Sequence, residues 1–330
     1  MTSRLLTVRN LKTYFFTERG TVRAIDGVNF GIDEGETVGL VGETGCGKSV
    51  FGLSILRLIP DPPGRIVEGE VILEGEDLQK KTEDEMRMVR GGRIAMIFQE
   101  PSTSLNPVFT VGDQICESIM LHQGLSRHEA NEKAINTLKL VGMPDPEATL
   151  GKYPHELSGG MQQRVMIAMA LSCTPRLLIA DEPTTSLDVT IQAQILELLM
   201  NLKKEGAIKS ILLITHDLGV VAETCNKVAV MYAGRIVEYG SLDSVFERPM
   251  HPYTLGLLET VATITEDKLT LRVIPGFVPD GIRVPSGCGF HPRCVLQADL
   301  CGKLAPELKE VEPNHYVACH HLTKKGDASP

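Results

Sequence analysis

At 330 residues, 42% of them hydrophobic, the chain is long enough for one large domain with an appendage, or for two modest domains. A formal charge of -9 at pH 7 excludes a nucleic-acid partner held by a basic surface, since that needs clustered Lys and Arg to displace counterions from phosphates. The opening MTSRLLTVRNLKTYF has no apolar run of signal-peptide length and no later run reaches bilayer-spanning length, so the chain is expected to stay where it is made.

In chain order, Leu6 to Phe16, Val22 to Ile32 and Gly69 to Leu73 read as strands of an antiparallel subdomain, separated by turns containing Gly and Glu. Four short β-branched or apolar runs, Thr37 to Val41, Ile94 to Phe98, Leu177 to Ala180 and Ile211 to Thr215, alternate with helical patterns. Such alternation predicts an α/β domain with a largely parallel, buried sheet. Between Pro101 and Glu156 strand signals stop, and Gly112 to His122 and His128 to Val141 carry apolar residues at helical spacing, which predicts a helical subdomain over about residues 101–165. After Tyr239 come HisProTyr at 251 to 253, prolines at 275, 279, 285, 292, 306 and 313, and four cysteines. The expected division is a nucleotide-type α/β domain over 1–246 and a C-terminal extension over 247–330.

The strand ending at Val41 runs into GETGCGKS and then into the helical VFGLSILRLI, the strand, Gly-rich loop and helix that a phosphate-binding loop requires. Gly42, Glu43, Thr44, Gly45, Cys46 and Gly47 turn backbone N–H groups toward the β- and γ-phosphates at the positive end of a helix. Lys48 adds a point charge and the Ser49 hydroxyl is placed to hold Mg²⁺. Cys46 lies near that helix N-terminus, a setting that stabilises thiolate and predicts alkylation that bound ATP blocks.

The buried run LLIA brings Asp181 and Glu182 to its C-terminal end, where ligands sit in open α/β sheets. Neighbours on a strand point to opposite sides, so they divide the work: Asp181 as Mg²⁺ partner, Glu182 as the group that polarises the attacking water. A second anion site is written as LSGGMQQR, in which Ser158 can cap a helix continuing through Gln162 to Leu171 while Gly159 and Gly160 expose N–H groups. A capping Ser-Gly-Gly is common anywhere; its place shortly before Asp181 is not.

Leu157, Ser158, Gly159, Gly160 and Met161 resemble the signature sequence of the ABC ATPases, P-loop NTPases with a RecA-like core, an antiparallel β subdomain and a helical subdomain. Gln99 after IAMIF, Ser186 and Asp188 after the carboxylate pair, and His216 after SILLIT fall in that family's order. The resemblance implies an ATPase in which each ATP lies between one subunit's Lys48 loop and the other subunit's signature, with Ser158, Gly159, Gly160 and Gln162 reaching across. It further implies that Gln99 touches Mg²⁺ and the transmembrane partner, that Ser186 and Asp188 communicate across the dimer, and that His216 contacts the γ-phosphate. An aromatic in the first strand region is expected to stack on adenine, Phe15 or Tyr14.

EPSTSLNP after Gln99, HPYT at 251 to 254, GCGFHPRC at 287 to 294 and ACH at 318 to 320 resemble the dipeptide, oligopeptide and nickel importer branch over essentially the whole chain. That implies a peripheral subunit at the cytoplasmic face of the cell membrane that energises uptake of di- or oligopeptides, the alternative being nickel or another small solute. Implied partners are a second ABC ATPase, identical or paralogous, two transmembrane permease subunits and, through them, an extracytoplasmic peptide-binding protein. Cys288, Cys294, Cys301 and Cys319, with gaps of five, six and seventeen residues, lack the paired CxxC spacing of zinc ribbons. Four thiolates can hold zinc or an iron–sulfur cluster, or remain free. Resemblance to dipeptide-transporter ATPases favours 4Fe–4S over Zn²⁺. On this reading the tail is separable from ATP chemistry, because every expected phosphate contact precedes Asp217.

Overall fold

A computed structural model describes residues 3–184, 188–260 and 274–322. The chain divides into two compact units, residues 1–80 with 214–330, and residues 81–213. The tail therefore belongs with the N-terminal residues, and part of the expected parallel sheet belongs with the helices.

In the first unit, β1 (Arg4–Thr17) and β2 (Gly20–Asp33) form a long antiparallel hairpin. After it come β3 (Thr37–Val41), α1 (Lys48–Ile55), β4 (Gly64–Leu73) and β5 (Glu76–Asp77). The antiparallel sheet has the order β2-β1-β4-β5. Leu6, Val8, Leu11, Ile25, Val28 and Ile32 are buried, the alternating face that a half-covered sheet requires. The alternation shifts register between Val8 and Leu11, where Asn10 adopts a left-handed φ of 44° and its amide donates to Glu68.

The second unit opens with α2 (Glu83–Val89) and β6 (Ile94–Ile97), followed by α3 (Pro101–Ser104), α4 (Val111–Gln123), α5 (Arg127–Leu140), α6 (Pro146–Leu150) and α7 (Gly159–Leu171). It continues through β7 (Leu177–Asp181), α8 (Val189–Lys204) and β8 (Ser210–Ile214). These strands run in the order β8-β7-β6, with β6 parallel to β7. Every residue of all three is buried, as strands covered on both faces must be. Helix starts follow local chemistry: Thr110 accepts from Asp113 N at 3.1 Å, and Ser126 with Glu129 forms a reciprocal capping box.

The chain then returns to the first unit with α9 (Leu218–Thr224), β9 (Lys227–Tyr232), β10 (Arg235–Ser241), α10 (Leu242–Glu247) and α11 (Pro252–Glu259). The tail adds β11 (Lys309–Glu312) and β12 (His315–Val317). Here the order is β11-β12-β10-β9-β3, with β9 parallel to β3 and the later neighbours antiparallel. The tail thus extends a sheet begun by β3. Fully buried Glu238 of β10 fastens it, accepting from Met250 N at 2.8 Å, His251 N at 3.0 Å and His315 Nε2 at 2.8 Å. A buried carboxylate is tolerated because its oxygens are taken up by donors.

Candidate nucleotide-binding and hydrolysis site

In the first unit the phosphate loop leaves the buried end of β3 and enters α1. Gly45 and Gly47 hold φ of 82° and 109°, and a Cβ on Gly47 would stand 2.4 Å from the carbonyl oxygen of Ala24, so that position admits only glycine. Lys48, 5% exposed, donates from Nζ to the carbonyls of Gly42 at 2.7 Å and Glu43 at 3.1 Å. The loop is wrapped about the ammonium, with its charge held beside the α1 N-terminus. Ser49 follows in the first turn of α1.

Cys46 departs from expectation. It is 1% exposed, and burial pushes its thiol up despite the opposing pull of Lys48, because loss of solvation outweighs the nearby cation. The expected reactive thiolate is replaced by a core thiol, so alkylation of the native chain should be slow with or without MgATP, as mass spectrometry of labelled peptides would show.

His216 follows β8 and is exposed. Its neighbours are fixed: Asp217 N donates to Thr215 Oγ1 at 3.0 Å, and the Asp217 carboxylate caps α9 by accepting from Gly219 N at 2.8 Å. On β1, Tyr14 donates to Asp26 at 2.7 Å, and burial with that bond raises its pKa to about 12. Burial alone would raise Asp26, but bonds from Tyr14 and Arg235 hold it below the usual carboxylate range. Phe15 lies against Gly64, where an added Cβ would meet its ring at 2.8 Å. Phe16, 53% exposed, is the aromatic of this strand with the most open face. Sequence reasoning passed over it because periodicity near the bulge does not say which neighbour turns outward.

The second unit carries the carboxylates. Asp181 closes β7 and is 5% exposed, whereas Glu182 has already left the strand with a φ of 44°. The side chains therefore diverge through a left-handed turn, not through strand alternation. Holding a non-glycine residue there costs about 1–2 kcal/mol, a strain of the kind found where a side chain is aimed for use. Gln99, just beyond β6, donates from Nε2 to Glu182 Oε2 at 2.9 Å, which brings two of the expected site residues together. Gln163 of α7 donates to the carbonyl of Pro183 at 2.7 Å, tying the signature helix to the turn after Glu182.

Ser158 caps α7, accepting from Met161 N at 3.4 Å, and Ser158 and Gly159 are exposed. Gln162, in the first turn of α7, donates from its amide to the carbonyls of Pro154 at 2.9 Å and Leu157 at 3.3 Å in the preceding turn. Asp188 is exposed at the start of α8, and Gln192 donates to Thr184 O at 3.0 Å. Ser186 lies outside the described residues.

The tail meets the phosphate loop at Glu43. Its backbone N–H donates to the Tyr253 hydroxyl at 2.9 Å, and its Oε2 pairs with Arg293 Nη1 at 3.0 Å. Burial works against the Arg293 charge, but Glu43 and Tyr232 outweigh it and raise the pKa. Phe290 packs on Tyr232 and Tyr253 at ring separations of 5.2 and 5.3 Å. Beside it Cys288, Cys294, Cys301 and Cys319 line one small pocket with His251, whose pKa burial lowers to about 4. Burial raises the thiols of Cys288, Cys294 and Cys319, the last to about 11. Among the described residues no group of three or more His, Cys, Asp or Glu is arranged to hold a single metal ion.

Comparison with known proteins agrees with these motifs. Residues 25–185 match the ABC transporter family, and residues 237–301 match the oligopeptide/dipeptide transporter C-terminal region. The oligopeptide transport ATP-binding protein AppD of Bacillus subtilis is 49% identical over 324 residues, 98% of each chain. The dipeptide transport ATP-binding protein DppD of Escherichia coli is 48% identical over 317 residues, 96% of each chain. Among solved structures, the dimeric ATP-binding cassette MJ0796 in a post-hydrolysis state bound to ADP and Pi aligns with a TM-score of 0.64 at 28% identity, covering 72% of this chain and 98% of that one. Near-complete coverage at such identity, over motifs built for phosphate binding and hydrolysis, makes this chain an ATP-hydrolysing member of the ABC transporter family that carries the C-terminal region of the oligopeptide/dipeptide transporters.

Proposed function

We propose that the chain energises import of di- or oligopeptides as the ATP-binding subunit of a membrane transporter. The observation that carries this is the near-end-to-end similarity to oligopeptide and dipeptide transport subunits, C-terminal region included. Lys48 and the loop N–H groups bind the ATP phosphates, Ser49, Asp181 and Gln99 serve Mg²⁺, Glu182 polarises the attacking water, and His216 meets the γ-phosphate. The exposed cap formed by Ser158 and Gly159 faces ATP bound to a second ATPase subunit, and Phe16 joins Phe15 and Tyr14 as a candidate adenine contact. No described helix is long and apolar enough to cross a membrane. On this proposal the solute path belongs to two permease subunits, with this chain peripheral at their cytoplasmic side. Co-purified with those subunits and a peptide-binding protein in proteoliposomes, the complex should hydrolyse ATP faster when peptide is present and accumulate it. ATPase stimulation by a nickel chelate and by no peptide would overturn the peptide assignment.

We further infer that Cys288, Cys294, Cys301 and Cys319 hold a 4Fe–4S cluster. In support, four thiols from separate turns line one pocket. The cluster would supply cross-links to a segment with few elements of its own. Protein purified without oxygen should be brown, with about four irons per chain. About one zinc and no iron per chain, or neither metal, would overturn the assignment.

A further inference from the structure

The C-terminal segment is more than an attachment. We propose that Tyr253 and Arg293 are positioning residues for the ATP reaction, holding the phosphate loop through Glu43 and thereby setting ATP affinity. The inference rests on reading residues 42–49 as the phosphate loop.

The Glu43 N–H is diverted from phosphate, because it donates to the Tyr253 hydroxyl at 2.9 Å. Its carbonyl accepts from Lys48 Nζ at 3.1 Å, so the residue held by the tail also holds the lysine. The carboxylate is equally committed. Oε2 pairs with Arg293, while Oε1 is buried with no hydrogen-bond partner among the described residues. One ion pair therefore anchors the carboxylate, and losing Arg293 leaves a part-buried carboxylate, with Oε1 already out of water, lacking its charge partner.

Arg293 is itself over-determined. Its side chain is 7% exposed, and it donates to Glu43 Oε2 at 3.0 Å, Tyr232 Oη at 3.3 Å, Pro275 O at 2.8 Å and Ile274 O at 3.3 Å. A forked, planar cation can serve those directions together; a point charge cannot. Tyr253, fully buried, stands on Tyr232 at 4.7 Å between ring centres and on Phe290. Phe290 and Arg293 fall between Cys288 and Cys294, and Cys288 N donates to Cys301 O at 2.7 Å. A chain of packed and hydrogen-bonded groups thus runs from the cysteine turn to the loop that carries Lys48, and ATP affinity becomes sensitive to how that turn is held.

Equilibrium dialysis of MgATP against the full-length chain tests this, with K48A as the marker for the loop. E43Q and R293Q should each weaken ATP binding about tenfold, the scale of one lost charge-assisted bond. The double variant should be no weaker than the weaker single, since both remove one link. Y253F, which deletes a single oxygen and leaves the rings packed, should weaken binding about threefold, and R293K should recover part of the loss. Turnover of R293Q and Y253F at saturating ATP should stay within about twofold of the parent, a separation of affinity from kcat that general destabilisation does not produce. If K48A weakens binding while E43Q, R293Q and Y253F leave it unchanged, or if the two charge variants multiply in the double, the clamp is refuted. If K48A itself leaves binding unchanged, the loop assignment fails and the clamp with it.

Discussion

Replacing Glu182 by Gln should leave ATP binding intact and reduce hydrolysis at least a hundredfold, the lower end of what a positioned general base contributes. The amide has the shape of the carboxylate, so it can keep the left-handed backbone at 182, and the Gln99 Nε2 donor can bond to its carbonyl oxygen as it does to Oε2 at 2.9 Å. What it loses is the capacity to accept a proton from water. Because the phosphate loop is untouched, ATP should bind and persist, and the unhydrolysed nucleotide should hold two ATPase subunits together. Phosphate release and light scattering in MgATP read the two halves of this expectation. Turnover at the parent rate would remove Glu182 from the reaction.

Replacing Lys48 by Ala should act earlier, at binding. The ammonium makes two bonds to loop carbonyls, at 2.7 Å and 3.1 Å, and lies buried where the loop turns into α1. Removing it deletes the main positive charge offered to phosphate and also leaves the carbonyls of Gly42 and Glu43 without that donor. Charge-assisted bonds of about 1.5–3 kcal/mol each set the expected loss at about one to three orders of magnitude in ATP affinity. E182Q and K48A should therefore separate cleanly: one retains nucleotide without turning it over, the other fails to retain it. An unchanged dissociation constant in K48A would place the phosphates elsewhere.

Much of this machinery was legible in the residues because its chemistry is local. A phosphate loop is a strand, a run of glycines, a lysine and a helix within one short segment. Periodicity placed β3, β6, β7 and β8 within a residue or so, since strands buried on both faces are written as unbroken apolar runs. The cap at Ser158 was equally readable, because a capping hydroxyl acts three residues ahead of itself.

Local grammar says nothing about solvation or distant partners, and those decided the remainder. Cys46 has the sequence setting of a reactive thiolate, but the packing around it removes water and raises the thiol. Glu182 was placed by strand alternation, whereas the strand ends one residue earlier in a left-handed turn that adjacent identities do not encode. The tail looked separable because every expected phosphate contact precedes Asp217. Tertiary contacts bind it in: β12 pairs with β10, Glu238 accepts from His315, and Tyr253 and Arg293 hold Glu43 across 210 and 250 residues. Closing loops that long costs only slowly rising entropy, so burial and charge pairing at their ends can determine the arrangement without leaving a pattern along the chain.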